Sequence, residues 1–289
     1  MPSPFDPQKP EHPSTYMVQN RQNQQELTRL TIQDRMVTAS MGGVLPEQAD
    51  PSIFRRVLDI GSGSGSWCIE AAQTYPSMSL IGIDISRRMI DYASEQARAQ
   101  QLADRVEFLV MDALRILEFP DGFFDLVDLR LGVSFMRTWD WPKLISEMLR
   151  VCREGGIIRV SEVEIIQPSN GPALTRFFEC FQCALFRAGH LFANDTTGIT
   201  AHLAPLLARH GCQRVQTKAY TLPYRAGTEE GNAYFENISH AMSTVRPFLK
   251  KWGCVPRDYD ELVQRAKDEM KQEQFMSTIP LLTAWGTKE

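Results

Sequence analysis

Short apolar runs alternate with segments of helical periodicity through the first 165 residues of the chain. Each run is short enough for a buried strand, and helical segments separate the successive runs. Such an alternation predicts a parallel sheet covered by helices on both faces. Two further strands are predicted near the carboxyl end. The predicted strands are 57–60, 80–86, 106–113, 124–130, 155–160, 213–220 and 275–285.

The first apolar run leads directly into a glycine-rich loop and then into a helix. Asp59 lies in the run, and Gly61, Gly63 and Gly65 follow at every second position. Glycines here allow a tight turn, close approach of the backbone to a ligand, and close packing of the helix on the sheet. A dinucleotide fingerprint would place its third glycine at position 66, where this chain has Ser66.

The acidic residue with its G-x-G-x-G loop resembles motif I of the class I S-adenosylmethionine (AdoMet) methyltransferases. Resemblance is strong over residues 55–165 and weaker over 205–286. It implies AdoMet as cofactor and a doubly wound, Rossmann-like sheet of seven mostly parallel strands with an antiparallel last strand. Asp84, 19 residues after Gly65, is then expected to bind the ribose, and Asp112 with the amide of Ala113 to hold the adenine. The cofactor-binding residues implied are Asp59, Gly61, Ser62, Gly63, Gly65, Asp84, Ile85, Met89, Asp112, Ala113 and Arg130.

Three segments outside the predicted sheet are candidates for a lid. Residues 1–18 are predicted to be a flexible tail, because five prolines fall within the first 13 positions. Residues 19–289 are predicted to form one domain, which begins with a helix in 19–43 and has lid insertions at about 168–195 and 227–274. Aromatic residues at helical spacing in 168–195 suit either a core face or a pocket wall.

Methyl transfer from an activated sulfonium can proceed by positioning the acceptor in a dry pocket. A hydroxyl acceptor also needs a base, and the candidates are His190, Glu162, Glu164 and Asp128. Arg130, at the end of the fourth strand, could pair with a carboxylate or hold an acidic acceptor.

Net charge and cysteine content limit the substrates and metals that the sequence supports. The formal net charge is −4 and no run of basic residues is long, so nucleic acid is not expected as substrate. No bound metal is expected. The six cysteines are predicted to be mostly buried, reduced thiols. The alternative is that Cys180 and Cys183 form part of a site for a soft metalloid. Neither a membrane span nor a signal peptide is predicted, which indicates a cytoplasmic location. The oligomeric state stays open.

The sequence thus predicts an AdoMet-dependent methyltransferase that acts at oxygen, nitrogen or carbon of a small, apolar or aromatic metabolite. Two alternatives share the same motifs. One is a noncatalytic AdoMet-binding regulator, and the other is an NAD-dependent oxidoreductase.

Overall fold

A seven-stranded sheet forms the centre of the computed structural model, which describes residues 15–18, 24–194 and 198–289. Apolar runs predicted from the sequence form the strands, and their bounds differ from the predicted ones mainly at the longer strands near the carboxyl end. The strands are β1 (Arg56–Ile60), β2 (Ser79–Asp84), β3 (Val106–Val110), β4 (Phe124–Arg130), β5 (Cys152–Val163), β6 (Gln213–Arg225) and β7 (Met276–Thr287).

The order of strands across the sheet is β3-β2-β1-β4-β5-β7-β6. Strands β1 to β5 pair in parallel, whereas β7 runs antiparallel to both of its neighbours, β5 and β6. The doubly wound sheet with an antiparallel last strand is therefore confirmed. Strand order reverses between β1 and β4, and ligands of open α/β sheets bind beyond the carboxyl ends of the strands at such a switch point.

Helices cover both faces of the sheet and extend past its carboxyl edge. Among the described residues, α2, α3, α4 and α6 pack on the strands, while α1 packs mainly on α7 and α5 mainly on α9. The helices are α1 (Gln24–Met41), α2 (Ser66–Thr74), α3 (Arg87–Ala99), α4 (Trp141–Val151), α5 (Pro172–Arg187), α6 (Thr200–Arg209), α7 (Glu229–Thr244), α8 (Arg246–Lys251) and α9 (Tyr259–Met270).

The two faces of the sheet are buried in separate apolar clusters. Successive side chains of β1 point to opposite faces, so Val57 packs with Trp67 on one side and Leu58 packs with Trp141 on the other. All four are at most 1% exposed. Burial on both faces explains why the central strands are almost continuously apolar.

The amino-terminal segment differs in part from its prediction. Residues 1–14 of the predicted tail, and residues 19–23 at the start of the predicted helix, lie outside the described residues. Met17 and Val18 belong to the predicted tail but are buried, and the Met17 amide donates a 3.0 Å hydrogen bond to the Ser134 carbonyl. Their apolar side chains pack against the domain, which the proline content of the segment does not reveal.

A disulfide joins Cys183 in α5 to Cys254, which follows α8. The prediction of reduced thiols was therefore wrong for these two residues, because folding brings together positions that are 71 residues apart. Cys68, Cys152 and Cys212 are buried free thiols, as predicted. The disulfide also withdraws Cys183 from the soft-metalloid pairing with Cys180.

Candidate active site

One cavity lies beyond the carboxyl ends of β1, β2, β4 and β5, at the switch point of the sheet. We call the part formed by the loops that follow the first three strands the cofactor end, and the part formed by α5, α7 and the loop after β5 the acceptor end, after the roles that the sequence predicts for them. The cofactor end includes Gly61, Ser62, Gly63, Asp84, Ile85, Met89, Asp112, Ala113 and Arg130, all of which the sequence nominated.

Gly63 and Gly65 serve different purposes within the loop after β1. Gly63 has φ +52°, and a Cβ placed there would have nothing nearer than the Leu30 side chain at 3.9 Å, across the cavity. A Cβ on Gly65 would lie 2.5 Å from the Phe108 ring and 2.7 Å from Ala93. Gly63 thus leaves ligand space open, whereas Gly65 lets α2 pack tightly and does not line the cavity.

Two carboxylates stand at the ends of neighbouring strands in the cofactor end. Asp84 accepts a 3.1 Å hydrogen bond from the Gly63 amide and a 2.7 Å bond from the Ser86 amide, so it joins the glycine loop to the start of α3. Asp112 accepts a 3.0 Å bond from the Leu114 amide. Both side chains are fixed by the backbone around them, as a preorganised binding site requires.

Arg130 lies at the boundary of the cofactor end, within a buried charge cluster. It forms an ion pair of 2.7 Å with Asp34 of α1, and a longer one of 3.5 Å with Asp128. Asp59 lies behind the glycine loop and does not line the cavity. The pKa of Asp59 is raised to about 7, mainly by burial; Arg130 opposes this rise and Asp128 adds to it. Asp128 is itself paired with Arg159, at 2.9 Å.

The acceptor end is walled mainly by apolar and aromatic side chains. Three phenylalanines of the predicted stripe in α5 contribute, so this stripe is both core and pocket wall. Polar side chains of the acceptor end and the Tyr16 ring of the amino-terminal segment also line these walls. The apolar contributors are Phe177, Phe178, Phe181, Leu185, Ile238, Val245 and Ile279, and the polar ones are Glu164, Gln167, Asn237 and Tyr16.

A buried cluster of Tyr16, Glu26 and Arg29 attaches the amino-terminal segment to α1. The Tyr16 hydroxyl donates to Glu26 Oε1 at 2.5 Å, and Arg29 Nη2 donates to the same oxygen at 2.7 Å. Thr15 Oγ1 donates to the Phe135 carbonyl. Residues 15–18 therefore run along the cavity between α1 and the loop after β4.

His190 and Glu162 do not line the cavity; both bind the backbone of Val133, in the loop after β4. The Val133 amide donates to Glu162 Oε1 at 2.9 Å, and its carbonyl lies 2.8 Å from His190 Nδ1. Both side chains are at most 1% exposed, and burial lowers the pKa of His190. This arrangement indicates that they position the loop after β4, which contributes Leu131, Val133 and Phe135 to the cavity wall.

Replacing Glu162 by glutamine is expected to flatten the pH dependence of stability between pH ~5 and ~8. Burial raises the pKa of Glu162 to about 8, far above the ordinary glutamate value. A carboxyl group with a raised folded-state pKa stabilises the fold fully below its unfolded pKa, and loses that contribution as pH rises to the folded value. Glutamine keeps the oxygen that accepts from Val133 but cannot ionise.

Urea unfolding across this pH range tests the prediction. The free energy of unfolding of the unmodified chain should fall by on the order of 4 kcal/mol more than that of Glu162→Gln. Asp59 titrates in the same range in both proteins, so the difference isolates Glu162. Parallel stability curves for the two proteins would show that Glu162 is not held protonated.

Comparison with known proteins gives a consistent family. The family model of the Methyltransferase domain matches residues 57–156, which hold β1 to β4 and the cofactor loops. A demethylmenaquinone methyltransferase from Deinococcus radiodurans is 33% identical over 178 residues, which is 60% of this chain and 71% of that enzyme. The chain belongs to the class I AdoMet-dependent methyltransferases.

Other relatives of this methyltransferase match over shorter lengths. Ajmaline N-methyltransferase from Rauvolfia serpentina is 38% identical over 104 residues, covering 36% of this chain and 34% of that enzyme. The chain spans about half the length of demethylmenaquinone methyltransferases from Thermus thermophilus and Bacteroides fragilis. The YcgJ protein from Bacillus subtilis shares the fold, with TM-score 0.53 and 19% identity over 87% of this chain and 99% of that one.

Residues of the methyltransferase that the sequence did not nominate include Asp34, Gln167 and Asn237. A charged Asp34 within an otherwise mixed helix is a weak signal, and the two carboxamides give none.

Among the described residues, no helix is long and apolar enough to cross a membrane. No group of three potential metal ligands occurs within residues 15–18, 24–194 and 198–289.

Proposed function

We propose that this methyltransferase transfers the methyl group of AdoMet to a small, largely apolar or aromatic acceptor bound between α5 and α7. The observation that carries the proposal is the single cavity with two chemically different ends. One end offers carboxylates and glycine backbone for a polar cofactor, while the other offers phenylalanine rings for an apolar molecule. Two relatives are named as methyltransferases of small molecules, demethylmenaquinone and ajmaline.

The residues of the cofactor end fit AdoMet. Asp84 can accept from both ribose hydroxyls, and Asp112 with the Ala113 amide can hold the adenine edge. Ser62 Oγ is buried and has no hydrogen-bond partner among the described residues, and the open space at Gly63 admits a ligand to the backbone. Bound AdoMet would supply an electrophilic methyl group.

The chain itself contributes positioning and exclusion of water. Phe177, Phe178 and the segment 15–18 enclose the acceptor, which raises its effective concentration beside the cofactor. Where the acceptor is a hydroxyl, Glu164 is the proposed proton acceptor, because it lines the acceptor end whereas His190 and Glu162 do not. Glu164 Oε1 already accepts from the Thr200 amide at 3.2 Å, which fixes its position.

Incubation with AdoMet labelled in its methyl group tests the function. Small ring compounds that carry a hydroxyl, amine or activated carbon form one panel, and duplex DNA serves as the contrasting substrate. We expect label to appear in members of the small-molecule panel, with stoichiometric S-adenosylhomocysteine, and none in DNA. Tight AdoMet binding without transfer to any member would instead indicate a noncatalytic AdoMet-binding regulator.

A cytoplasmic location stays a prediction of the sequence. The Cys183–Cys254 disulfide is a feature that the reducing cytosol disfavours, so its redox state in cells bears directly on this prediction.

A further inference from the structure

Asn237, in α7, is a buried polar side chain on the wall of the acceptor end. It is 2% exposed, and its Oδ1 accepts no hydrogen bond from any described residue. A buried carboxamide oxygen without a partner costs free energy, because it has lost its hydrogen bonds to water. Its position on the cavity wall gives it access to a ligand that could supply the missing bond.

Gln167, in the loop after β5, is a second carboxamide on the same wall. The Tyr234 hydroxyl donates a 2.8 Å hydrogen bond to Gln167 Oε1, and it also lies 2.9 Å from Ser277 Oγ. These contacts fix the orientation of the amide. Gln167 Nε2 donates no hydrogen bond to a described residue, so it remains a donor for a ligand.

The two carboxamides are held on one side of the cavity by the same helix. Tyr234 and Asn237 are three residues apart in α7 and therefore lie on one face of it. Tyr234 positions Gln167, and both Gln167 and Asn237 line a chamber whose walls are otherwise mainly apolar. A few polar groups within an apolar pocket determine the orientation and identity of its ligand.

We propose that Gln167 and Asn237 bind a ring hydroxyl group of the methyl acceptor. This inference rests on the proposed function and narrows it to apolar ring compounds that carry a hydroxyl group. Gln167 donates through Nε2, which requires an accepting oxygen. Asn237 accepts through Oδ1, which requires a donor, and a hydroxyl group is both.

Binding of a matched pair of probes to the protein saturated with S-adenosylhomocysteine tests the proposal by calorimetry. The probes are 2-naphthol, which carries a ring hydroxyl group, and 2-methylnaphthalene, which has nearly the same shape without it. We expect the unmodified protein to prefer 2-naphthol by at least about tenfold. Asn237→Leu and Gln167→Met, which retain approximate side-chain volume, should each reduce this preference several-fold while leaving affinity for 2-methylnaphthalene unchanged.

Three further variants distinguish the loss of ligand recognition from a loss of folding and from a general effect of substitution in α7. Asn232→Leu, on the exposed side of the same helix, is the matched control and should keep the full preference. Asn237→Ala repeats the test if leucine perturbs folding, which thermal unfolding would reveal. Tyr234→Phe should weaken the preference through Gln167 alone, so it should add nothing in a Gln167→Met background.

Equal binding of the two probes, or an unchanged preference in Asn237→Leu and Gln167→Met, would overturn the proposal. Failure of both probes to bind would contradict the apolar acceptor end, and the inference would fall with it. A clear preference for 2-naphthol without methyl transfer to any small molecule would support carboxamide recognition and contradict only the proposed enzymatic function.

Discussion

Replacing Asp84 by alanine is expected to lower the affinity for AdoMet by at least about tenfold while the protein stays folded. A hydrogen bond to a charged group contributes about 1.5 to 3 kcal/mol, and about 1.4 kcal/mol corresponds to a tenfold change in affinity. Asp84 also holds the Gly63 and Ser86 amides, so its loss should loosen the glycine loop as well. Calorimetric titration with AdoMet and with S-adenosylhomocysteine measures the effect.

A control variant in the following helix, α3, and a conservative replacement of Asp84 make the Asp84 result specific. Asp91→Ala removes an exposed carboxylate from α3 that lies 3.9 Å from Arg87, and should bind AdoMet normally. Asp84→Asn keeps an accepting oxygen but not the charge, so its affinity should fall between those of Asp84→Ala and the unmodified chain. Normal AdoMet affinity in a folded Asp84→Ala protein would exclude Asp84 as the ribose ligand.

Gly63→Ala and Gly65→Ala are expected to have different defects, the first in AdoMet binding and the second in stability. Both glycines have positive φ, +52° and +74°, so each replacement costs about 1 to 2 kcal/mol in backbone strain. At Gly65 the new Cβ also meets Phe108 and Ala93, and overpacking adds about 1 to 3 kcal/mol. Gly63→Ala should therefore remain folded but bind AdoMet poorly, because its Cβ projects into the cavity. Gly65→Ala should lose much of its stability.

Thermal unfolding and AdoMet titration, done on both glycine variants, distinguish the two effects. We expect the larger fall in melting temperature for Gly65→Ala. For Gly63→Ala we expect the larger fall in AdoMet affinity relative to the stability that is lost. If Gly63→Ala binds AdoMet like the unmodified chain, the cofactor does not approach the backbone at Gly63. If the two variants melt alike, the contact between Gly65 and Phe108 is less restrictive than its geometry indicates.

The sheet could be predicted because its signal is local. Each buried strand is a contiguous apolar run, and its ending residue, such as Asp84 or Asp112, is adjacent in sequence to the loop it serves. The same locality explains why nine of the residues nominated for cofactor binding line one cavity, although their binding role stays a prediction. Asp59 and Gly65 belong to the motif but do not line the cavity. Asp59 lies in a strand, where successive side chains point to opposite faces. For Gly65, the sequence does not distinguish a glycine needed for packing from one needed for binding.

The acceptor end could be predicted only as a region. Gln167 and Asn237 are 70 positions apart, and nothing in the residues between them shows that they share a wall. His190 and Glu162 carried the residue types of a base, but the sequence does not show that the backbone of Val133 occupies both. The pairing of Cys183 with Cys254 is hidden for the same reason, because it depends on how α5 and α8 meet.

The division of the cavity into two ends has a consequence for how such a chain can diverge. Residues 57–156, which the family model matches, contain nearly all of the cofactor end, whereas α1, α5 and α7 lie outside that range. Under the proposed function, mutations in α5 and α7 alter which acceptor is accommodated without disturbing the cofactor loops, whereas α1 also supports the cofactor end through the ion pair of Asp34 with Arg130. Selection can retain the cofactor end of the cavity while the acceptor end changes. Two descendants of a common ancestor can therefore share a cofactor and differ completely in acceptor.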